Sequence, residues 1–269
     1  MTEVEIPYIT LRNGRHSFPV PEVMGILNVT PDSFFAASRK ESEAEIAQRA
    51  NEIIAQGATM IDIGACSTRP GSSPVSGEEE MSRMRKALSV VRREQPDAIL
   101  SIDTFRPEVA KMSVEEFGAD IINDVSGGTE EMFRLVAGLH VVYLLMSSDS
   151  TTEAVGKMFS AKTAELNNMG CDNIILDPGY GFGKDIVQNY SILRQQSKLR
   201  RSHYPLLAGV SRKRMVWQLL GCTPDEALNG TTVVNAVALQ NGADILRVHD
   251  VRQAKETIKI IEACSCISE

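Results

Sequence analysis

Polar and charged residues stand directly after several short apolar segments of this sequence, and their types suit a flat, phosphorylated ligand. Asp103, Asn123 and Asp177 carry carboxylates or an amide, and Lys213 and Arg247 carry cations. A carboxylate and an Asn amide together can bind the amino and amide edge of a heterocycle, and a Lys or Arg can cover one of its faces. Cationic side chains also bind phosphate. These residues therefore predict one binding site if the fold brings them together.

Eight short segments rich in apolar and β-branched residues are predicted to be the strands that position this site. They cover residues 23–29, 60–64, 99–102, 120–123, 141–146, 173–177, 206–210 and 245–248. Strands that are apolar on both faces and alternate with helical segments indicate βαβ units and a parallel sheet. We therefore expect one domain over residues 1–269, an α/β fold of the (β/α)8 TIM barrel type. Length alone would also allow two small domains.

The active site of a TIM barrel lies in the loops that follow its strands, and nearly every predicted strand here delivers polar residues to that rim. A purely structural barrel has no reason to gather them, because buried polar groups cost free energy unless they are paired. The loops after the seventh and eighth strands carry Arg212, Lys213, Arg247 and His249. These two loops are the usual phosphate-binding position of such barrels.

Several polar residues have a structural interpretation when each is considered alone. Asp62 and Asp124 are more often hydrogen-bond partners than catalysts, and Asp250 is more often a helix cap. Asp103 could be either, and Lys184 could be a solvated loop charge. Only the convergence of many such residues on one rim favours a functional site.

Local signals predict where the elements begin and end. Ser42, Ser76 and Thr223, each followed three residues later by a glutamate, predict helix starts, and Asp250 predicts the cap of the last helix. Gly57 is predicted to end the first helix. Residues 8–18, centred on an Asn-Gly pair, predict a short N-terminal β-hairpin. We expect this hairpin to close the bottom of the barrel without a catalytic role.

Composition excludes several other classes of protein. The 269 residues are 43% hydrophobic and 23% charged, with a formal net charge of −7. An acidic balance argues against nucleic acid or an anionic membrane as the main partner. No apolar segment approaches the roughly 20 residues that span a bilayer, and the N-terminus has no signal-peptide pattern. The first strand is not followed by Gly-x-Gly-x-x-Gly, which argues against a dinucleotide site.

The cysteines favour a reducing, cytoplasmic location. The sequence contains five of them, an odd and scattered set: Cys66, Cys171, Cys222, Cys264 and Cys266. Such a set does not suit a framework of disulfides. Structural zinc sites usually need four ligands at recognisable spacing, so we do not expect a metal at Cys264 and Cys266.

Seven motifs resemble those of the dihydropteroate synthases, in the pterin-binding enzyme family. They are MGILNVTPDSF at residues 24–34, STRPG at 67–71, SIDT at 101–104, INDVSG at 122–127, DPGYGFGK at 177–184, GVSRK at 209–213 and RVHD at 247–250. They occur in order over nearly the whole chain, so the resemblance is specific. It implies a cytoplasmic transferase of folate biosynthesis, a target of sulfonamides. Such an enzyme condenses 6-hydroxymethyl-7,8-dihydropterin pyrophosphate with p-aminobenzoate, assisted by Mg²⁺, to give 7,8-dihydropteroate and pyrophosphate.

The resemblance also implies roles for individual residues. By similarity, Asp103, Lys213 and Arg247 would be catalytic, and Asp103 could stabilise the developing cation. The remaining roles divide among the parts of the substrates. The pterin would be bound by Asp103, Asn123, Asp177, Lys213 and Arg247, the pyrophosphate by Asn28, Arg247 and His249, the metal by Asn28, and p-aminobenzoate by Thr68, Arg69, Pro70, Phe182, Ser211 and Lys213.

Three positions depart from the family pattern. Ala36 stands where the first loop usually has an acidic residue, Cys66 stands where glutamate is common, and Leu145-Met146-Ser147 stands where His-Met often follows the fifth strand. We interpret these as variation between lineages, with activity retained.

Two other functions remain alternatives. A pterin-dependent methyltransferase shares the Asp, Asn and Asp-Pro-Gly elements, but it has no need of STRPG. A non-catalytic pterin-binding paralogue is disfavoured by the intact Asp103, Lys213 and Arg247. Members of the family are usually homodimers, and the apolar residues 233–239 could belong to an interface or, equally, to the barrel core.

Overall fold

Eight parallel strands form the central sheet of the protein, which we describe from a computed structural model over residues 5–29, 39–66 and 75–266. A two-stranded antiparallel sheet precedes them. In chain order the strands are β1 (Tyr8–Leu11), β2 (Gly14–Ser17), β3 (Glu22–Asn28), β4 (Met60–Gly64), β5 (Ile99–Asp103), β6 (Ile121–Asp124), β7 (Val142–Met146), β8 (Ile174–Asp177), β9 (Leu207–Ala208) and β10 (Ile245–Val248).

Helices connect the parallel strands and surround them. They are α1 (Arg39–Ala55), α2 (Gly77–Glu94), α3 (Pro107–Phe117), α4 (Glu130–Leu139), α5 (Thr152–Asn168), α6 (Ile186–Gln195), α7 (Arg214–Leu220), α8 (Leu228–Gln240) and α9 (Val251–Cys266). A 3-10 helix, Gln196–Leu199, follows α6. None of the helices in the described ranges is long and apolar enough to cross a membrane.

The sheet closes into a barrel. Its strand order is β8-β7-β6-β5-β4-β3-β10-β9, and a parallel bridge between Leu176 and Leu206 joins the two ends. The Leu176 N–H also donates to the Pro205 carbonyl at 2.9 Å. The predicted (β/α)8 barrel and its eight strands are therefore confirmed. The seventh strand is shorter than predicted, because the Leu206 N–H donates to the Asp244 carboxylate and a turn begins at Val210.

The core has an inner and an outer layer. The outer layer packs the helices against the strands and includes Leu27, Ile53, Ile102 and Phe133. The inner layer fills the barrel with residues that alternate with those, among them Met24, Met60, Val142, Leu144 and Ile245. This alternation follows from the two-residue period of a strand, and it directs every second side chain at the strand ends toward the barrel axis.

The N-terminal hairpin closes the bottom of the barrel, as predicted. Strands β1 and β2 pair with Leu11 opposite Gly14, and Gly14 adopts a φ of 119° that favours glycine. Ile9 and Phe18 are buried and join the inner layer. Two hydrogen bonds between the Thr10 backbone and the Asn173 side chain, at 2.9 and 2.7 Å, fasten the hairpin below β8.

Two of the predicted helix termini are confirmed. The Ser76 hydroxyl caps α2 by accepting from the Glu79 N–H. Gly57, with a φ of 98°, follows the end of α1.

Two other predicted helix starts are wrong. Helix α1 already begins at Arg39, so Ser42 lies inside it and cannot take the extended backbone of an N-cap. Thr223 begins a turn, and α8 starts only at Leu228. The physical reason is that the Arg212 guanidinium binds the Pro224 and Asp225 carbonyls, which a helix starting there would use for its own hydrogen bonds.

The hairpin yields a prediction about stability. Replacing Phe18 with Ala should lower the free energy of unfolding by about 3–5 kcal/mol, because it leaves a cavity at the bottom of the barrel. Chemical denaturation followed by circular dichroism measures this change. The control is Val20→Ala, since Val20 is 39% exposed, and it should change stability by less than about 0.5 kcal/mol. An equal, small effect of both variants would show that the hairpin does not contribute to the core.

Candidate active site

The carboxyl ends of the strands bring together acidic and basic residues that lie far apart in the chain. Arg247 on β10 donates through Nε to Asp62 Oδ2 at 2.7 Å and through Nη2 to Asp103 Oδ2 at 2.8 Å. Asp62 lies on β4 and Asp103 ends β5. The guanidinium is thus held between two carboxylates inside the mouth of the barrel.

Asp62 is the centre of this network. Its Oδ1 accepts from the Ser101 hydroxyl at 2.5 Å, and Asn123 Nδ2 lies 3.2 and 3.3 Å from its two oxygens. With the Arg247 guanidinium, the carboxylate therefore receives donors from β5, β6 and β10. Asp62 is fully buried, so a ligand reaches its partners rather than Asp62 itself. The interpretation of Asp62 as a hydrogen-bonding residue agrees with this geometry, but its role in orienting both Arg247 and Asn123 was not predicted.

The electrostatics of Asp103 and Arg247 differ from those of exposed groups. Burial raises the pKa of Asp103 to about 7, and the neighbouring Asp62 carboxylate adds to the rise, although Arg247 and Lys213 oppose it. Burial tends to lower the pKa of Arg247, but Asp62 and Asp103 outweigh it and hold that pKa above the ordinary value. Arg247 therefore stays charged, while Asp103 can change its protonation state near neutral pH.

Asp124 has the structural role that was expected. Its Oδ2 accepts from the Tyr143 hydroxyl at 2.9 Å and its Oδ1 from the Ser126 N–H at 2.8 Å. Both bonds lie outside the network around Asp62. Asn123, the residue before it, points to that network instead, because neighbouring residues of a strand face opposite sides.

A glycine-rich loop, residues 177–184, follows β8 beside this network. Asp177 is buried, and its Oδ1 accepts from the Gly179 N–H at 2.7 Å. Burial raises the pKa of Asp177, while Lys213 and the Gly179 N–H oppose that rise. Gly179, Gly181 and Gly183 have φ values of 68°, 81° and 62°, a conformation that residues with a side chain adopt at a cost. The loop therefore needs glycine at alternate positions to follow its path.

Lys213 reaches this loop from the other side of the mouth. Its ammonium donates to the Tyr180 carbonyl and lies 4.5 Å from the centre of the Phe182 ring. Burial lowers the pKa of Lys213 to about 8, although Asp177 opposes that shift. Asp103 and Arg247 also act on this pKa, so the cation belongs to the same electrostatic cluster as the network around Asp62.

The two residues before Lys213 point in different directions. Arg212 has a φ of 52°, and its guanidinium binds both carboxylate oxygens of Asp250 at 2.8 and 2.9 Å. The Ser211 hydroxyl lies 3.1 Å from His249 Nδ1, which joins the loops after β9 and β10. Arg212 therefore does not contribute to the basic cluster expected after these strands. Asp250 stands before α9 as expected, and its carboxylate serves Arg212.

Asn28 ends β3 with a half-buried side chain. In the register of the sheet it pairs with Gly64, which in turn pairs with Asp103. Asn28 Oδ1 is 3.4 Å from the position that a Cβ on Gly64 would occupy. A glycine there leaves space between Asn28 and Asp103. The other residues expected near the substrates, Thr68, Arg69 and Pro70, lie outside the described residues, as does Ala36.

Comparisons with known proteins give the family. Residues 24–249 match the family described as "Pterin binding enzyme". The dihydropteroate synthase of Escherichia coli strain K12 is 37% identical over 259 residues, with 90% of this chain and 91% of that protein covered. The chain therefore belongs to the pterin-binding enzyme family, among the dihydropteroate synthases.

Solved structures agree with that assignment. Xanthomonas albilineans dihydropteroate synthase with 4-aminobenzoic acid superposes with a TM-score of 0.91 at 31% identity, covering 98% of this chain and all of that one. The dihydropteroate synthase of Thermus thermophilus in complex with 6HMPPP gives a TM-score of 0.82 at 31% identity, covering 95% and 99% of the two chains.

The raised pKa of Asp103 predicts a pH-dependent effect on stability. Because this pKa is about 7 in the fold and 3.8 for an ordinary carboxyl, the folded protein binds the proton more tightly than the unfolded chain. The stability that this proton contributes is complete below about pH 4 and is lost as the pH rises to about 7. The melting temperature of Asp103→Asn minus that of the wild type should therefore rise between pH 4 and pH 7 and stay constant at higher pH.

Thermal unfolding between pH 4 and 9 measures this difference. The exposed Asp97 provides the control variant, Asp97→Asn, which should track the wild type throughout. A constant difference for Asp103→Asn, or one that shrinks with rising pH, would contradict the assignment of a costly buried carboxylate.

Proposed function

We propose that the chain condenses 6-hydroxymethyl-7,8-dihydropterin pyrophosphate with p-aminobenzoate, and that the residues at the barrel mouth carry this reaction. The amine nitrogen forms a bond to the methylene carbon on the pterin, the carbon–oxygen bond to pyrophosphate breaks, and the amine loses a proton. The observation that carries the proposal is the Arg247 guanidinium held between Asp62 and Asp103. It lies in the same mouth as Asn123 and near the Asp177 and Lys213 charges.

The pterin would bind against Asp103, Asn123 and Asp177. Two carboxylates and an amide offer acceptors and a donor to a ring edge that carries amino and amide groups. Lys213 and Arg247 would cover or flank the ring. As pyrophosphate leaves, positive charge develops on the methylene carbon, and the Asp103 carboxylate would stabilise it.

The departing pyrophosphate would be bound by Arg247 and His249, and the Arg247 guanidinium would offset part of its charge. A leaving group with this much negative charge needs positive groups held in place near it. Their attraction for that charge is stronger in a water-poor site than in water. A bound Mg²⁺ supplies further charge to the leaving oxygens. Asn28 fits such an ion as a single protein ligand, because its amide oxygen faces the space beside Gly64 and Mg²⁺ usually takes few protein ligands together with substrate phosphates.

The p-aminobenzoate would lie between the glycine-rich loop and the loop after β9. Phe182 is half-buried beside the Lys213 ammonium, and Ser211 is buried next to His249. An aromatic ring and a cation can hold the ring and the carboxylate of this substrate. Thr68, Arg69 and Pro70 would complete the site. No covalent enzyme intermediate is needed, since the amine is itself the nucleophile.

Turnover with defined substrates tests this function. The purified protein is incubated with the dihydropterin pyrophosphate, p-aminobenzoate and Mg²⁺, and dihydropteroate is measured by chromatography. We expect product whose formation is blocked by a sulfonamide and abolished by EDTA. Pterin binding without product would contradict the proposed activity, and undiminished product in EDTA would contradict the role of Mg²⁺.

Two cations provide the next prediction. Arg247→Ala and Lys213→Ala should each lower turnover at least about tenfold, which corresponds to roughly 1.4 kcal/mol of lost transition-state stabilisation. Steady-state kinetics of variants shown to be folded by circular dichroism measure this loss. Lys198→Ala, at an exposed lysine of the 3-10 helix, is the control and should retain wild-type turnover. Near-normal rates in both site variants would place the substrates elsewhere.

We also propose that the protein is a homodimer, through an apolar surface on α7 and α8. Leu219, Leu220 and Val233 are 59%, 56% and 55% exposed, whereas Val234 and Leu239 of the expected apolar segment are buried in the core. Gly230 lets Leu220 and Val216 approach α8 closely, which brings the exposed side chains into one patch. A self-complementary contact between two copies would remove this apolar surface from water.

If this surface forms the dimer interface, negative charges introduced there should separate the two copies. The double variant Leu220→Glu with Val233→Glu should sediment as a monomer, because two buried like charges would face each other across the interface. Analytical ultracentrifugation at micromolar concentration measures the mass. Ile6→Glu, at an exposed residue near the hairpin, should leave the mass unchanged. A wild-type monomer, or a double variant that remains dimeric, would contradict this interface.

A cytoplasmic location is proposed on the state of the cysteines. Cys171, Cys222 and Cys264 are free thiols, and burial raises the pKa of Cys171 to about 11. Cysteines that are not joined in disulfides are typical of proteins in a reducing compartment.

A further inference from the structure

We propose that Lys184 is a positioning residue for the p-aminobenzoate site: its ammonium binds two carbonyl oxygens of the glycine-rich loop and one of the loop after β7. This inference rests on the function proposed above. Nζ lies 2.9 Å from the Gly179 oxygen, 3.1 Å from the Phe182 oxygen and 3.0 Å from the Ser147 oxygen. From the sequence, Lys184 could be a solvated loop charge, whereas the structure shows it partly buried with three carbonyl partners.

The three contacts use the whole donor capacity of the side chain. A lysine ammonium has three N–H bonds, and each has one carbonyl partner here. Within the described ranges, Nζ has no carboxylate at ion-pair distance. Hydrogen bonds from a charged donor are stronger than those between neutral groups. Lys184 therefore fixes the backbone of residues 179–182 more firmly than an ordinary turn would.

The path of the loop explains why a cation is needed there. The residues at positions 179, 181 and 183 are left-handed, and the carbonyls of Gly179 and Phe182 point to the Lys184 ammonium. A buried carbonyl without a donor costs free energy. The two loops approach so closely that a Cβ on Gly179 would collide with the Ser147 carbonyl oxygen, and one on Gly183 would stand 2.9 Å from the Ser148 oxygen. Lys184 donates to the Ser147 and Phe182 carbonyls there, and it shares the Gly179 carbonyl with the Phe182 N–H, which lies 3.1 Å from that oxygen.

The same loop presents the residues that face the substrate. Phe182, whose carbonyl binds Lys184, places its ring 4.5 Å from the Lys213 ammonium, and the Tyr180 carbonyl accepts from Lys213. Asn189 fixes the opposite side, where its Oδ1 accepts from the Gly181 N–H at 2.7 Å. Lys184 thus acts on p-aminobenzoate through the position of Phe182, without touching the substrate.

Its influence should differ between the two substrates. Asp103 and Asn123 stand on β5 and β6, and the sheet holds them whether or not the loop is firm. The backbone of Asp177 is likewise held by β8, and only its carboxylate touches the loop, at the Gly179 N–H. Phe182 lies within the loop, and its carbonyl is one of the three that Lys184 binds. Loss of Lys184 should therefore weaken the binding of p-aminobenzoate far more than that of the pterin substrate.

The test variant is Lys184→Met, which keeps the length of the side chain and removes its donors. We expect the KM for p-aminobenzoate to rise at least about tenfold, with the KM for the pterin substrate within about threefold of the wild type. Amide hydrogen exchange should also become faster at Gly181 and Phe182. If Lys184→Met does not fold, Lys184→Gln, which retains two N–H donors, is measured against the same criteria.

A matched control separates positioning from general stability. Arg92 is another partly buried cation that binds backbone carbonyls, those of Phe117, Ala98, Pro96 and Gly118, at the opposite end of the barrel. Arg92→Met should destabilise the fold while leaving both KM values unchanged. It therefore shows what the loss of a structural cation does by itself.

Each outcome decides the proposal. A selective rise in the KM for p-aminobenzoate in the Lys184 variant, absent from the Arg92 variant, supports it. An unchanged KM, or an equal rise for both substrates, overturns it. Absence of dihydropteroate from the wild-type protein would instead refute the proposed function, so the two failures are distinguishable.

Discussion

The ion pairs of Arg247 with Asp62 and Asp103 are the interaction on which the candidate site depends. A buried guanidinium needs carboxylate partners, since an unpaired charge in the interior is strongly destabilising. Asp62 provides that partner and also receives Asn123 and Ser101. Asp62 thereby orients Asn123, which would bind the pterin, and Arg247, which would bind both the pterin and its leaving group. Burial raises the pKa of Asp103 to about 7. The charge of a bound ligand can therefore change the protonation state of this carboxyl.

A second set of interactions builds the other half of the mouth from backbone and lysine side chains. The glycine-rich loop turns carbonyl groups toward Lys184 on one side and toward Lys213 on the other. Burial lowers the pKa of both lysines to about 8. A cation that is costly to bury gains from an anionic ligand, which suits the carboxylate and the phosphates of the proposed substrates. The rigid strands would hold the pterin, and the loop would hold p-aminobenzoate.

Much of this could be predicted from the sequence. The alternation of apolar strands with helical segments indicated the barrel, because that pattern has few alternative folds. The rule that strand ends meet at one rim located Asp103, Asn123, Asp177, Lys213 and Arg247 correctly at the mouth. The Asn-Gly pair predicted the hairpin, since few residues other than glycine accept the required backbone angles.

What could not be predicted depends on contacts between distant segments. Asp62 and Arg247 are 185 residues apart, and no local pattern shows that one carboxylate orients both Arg247 and Asn123. Neighbours in a chain can also diverge: Arg212 faces Asp250 while Lys213 faces the mouth. The same Arg212 delays the start of α8 by binding carbonyls. In the sequence, Lys184 could be an exposed loop residue, and only the fold shows the three carbonyl oxygens that bind its ammonium.

A crystal structure with the dihydropterin pyrophosphate and Mg²⁺ tests the central claim most directly. The account predicts the pterin edge within hydrogen-bond distance of Asn123 and Asp177, with Asp62 still bound to Arg247 and the diphosphate next to that guanidinium. A pterin bound in any other cavity, or a diphosphate away from Arg247, would contradict it.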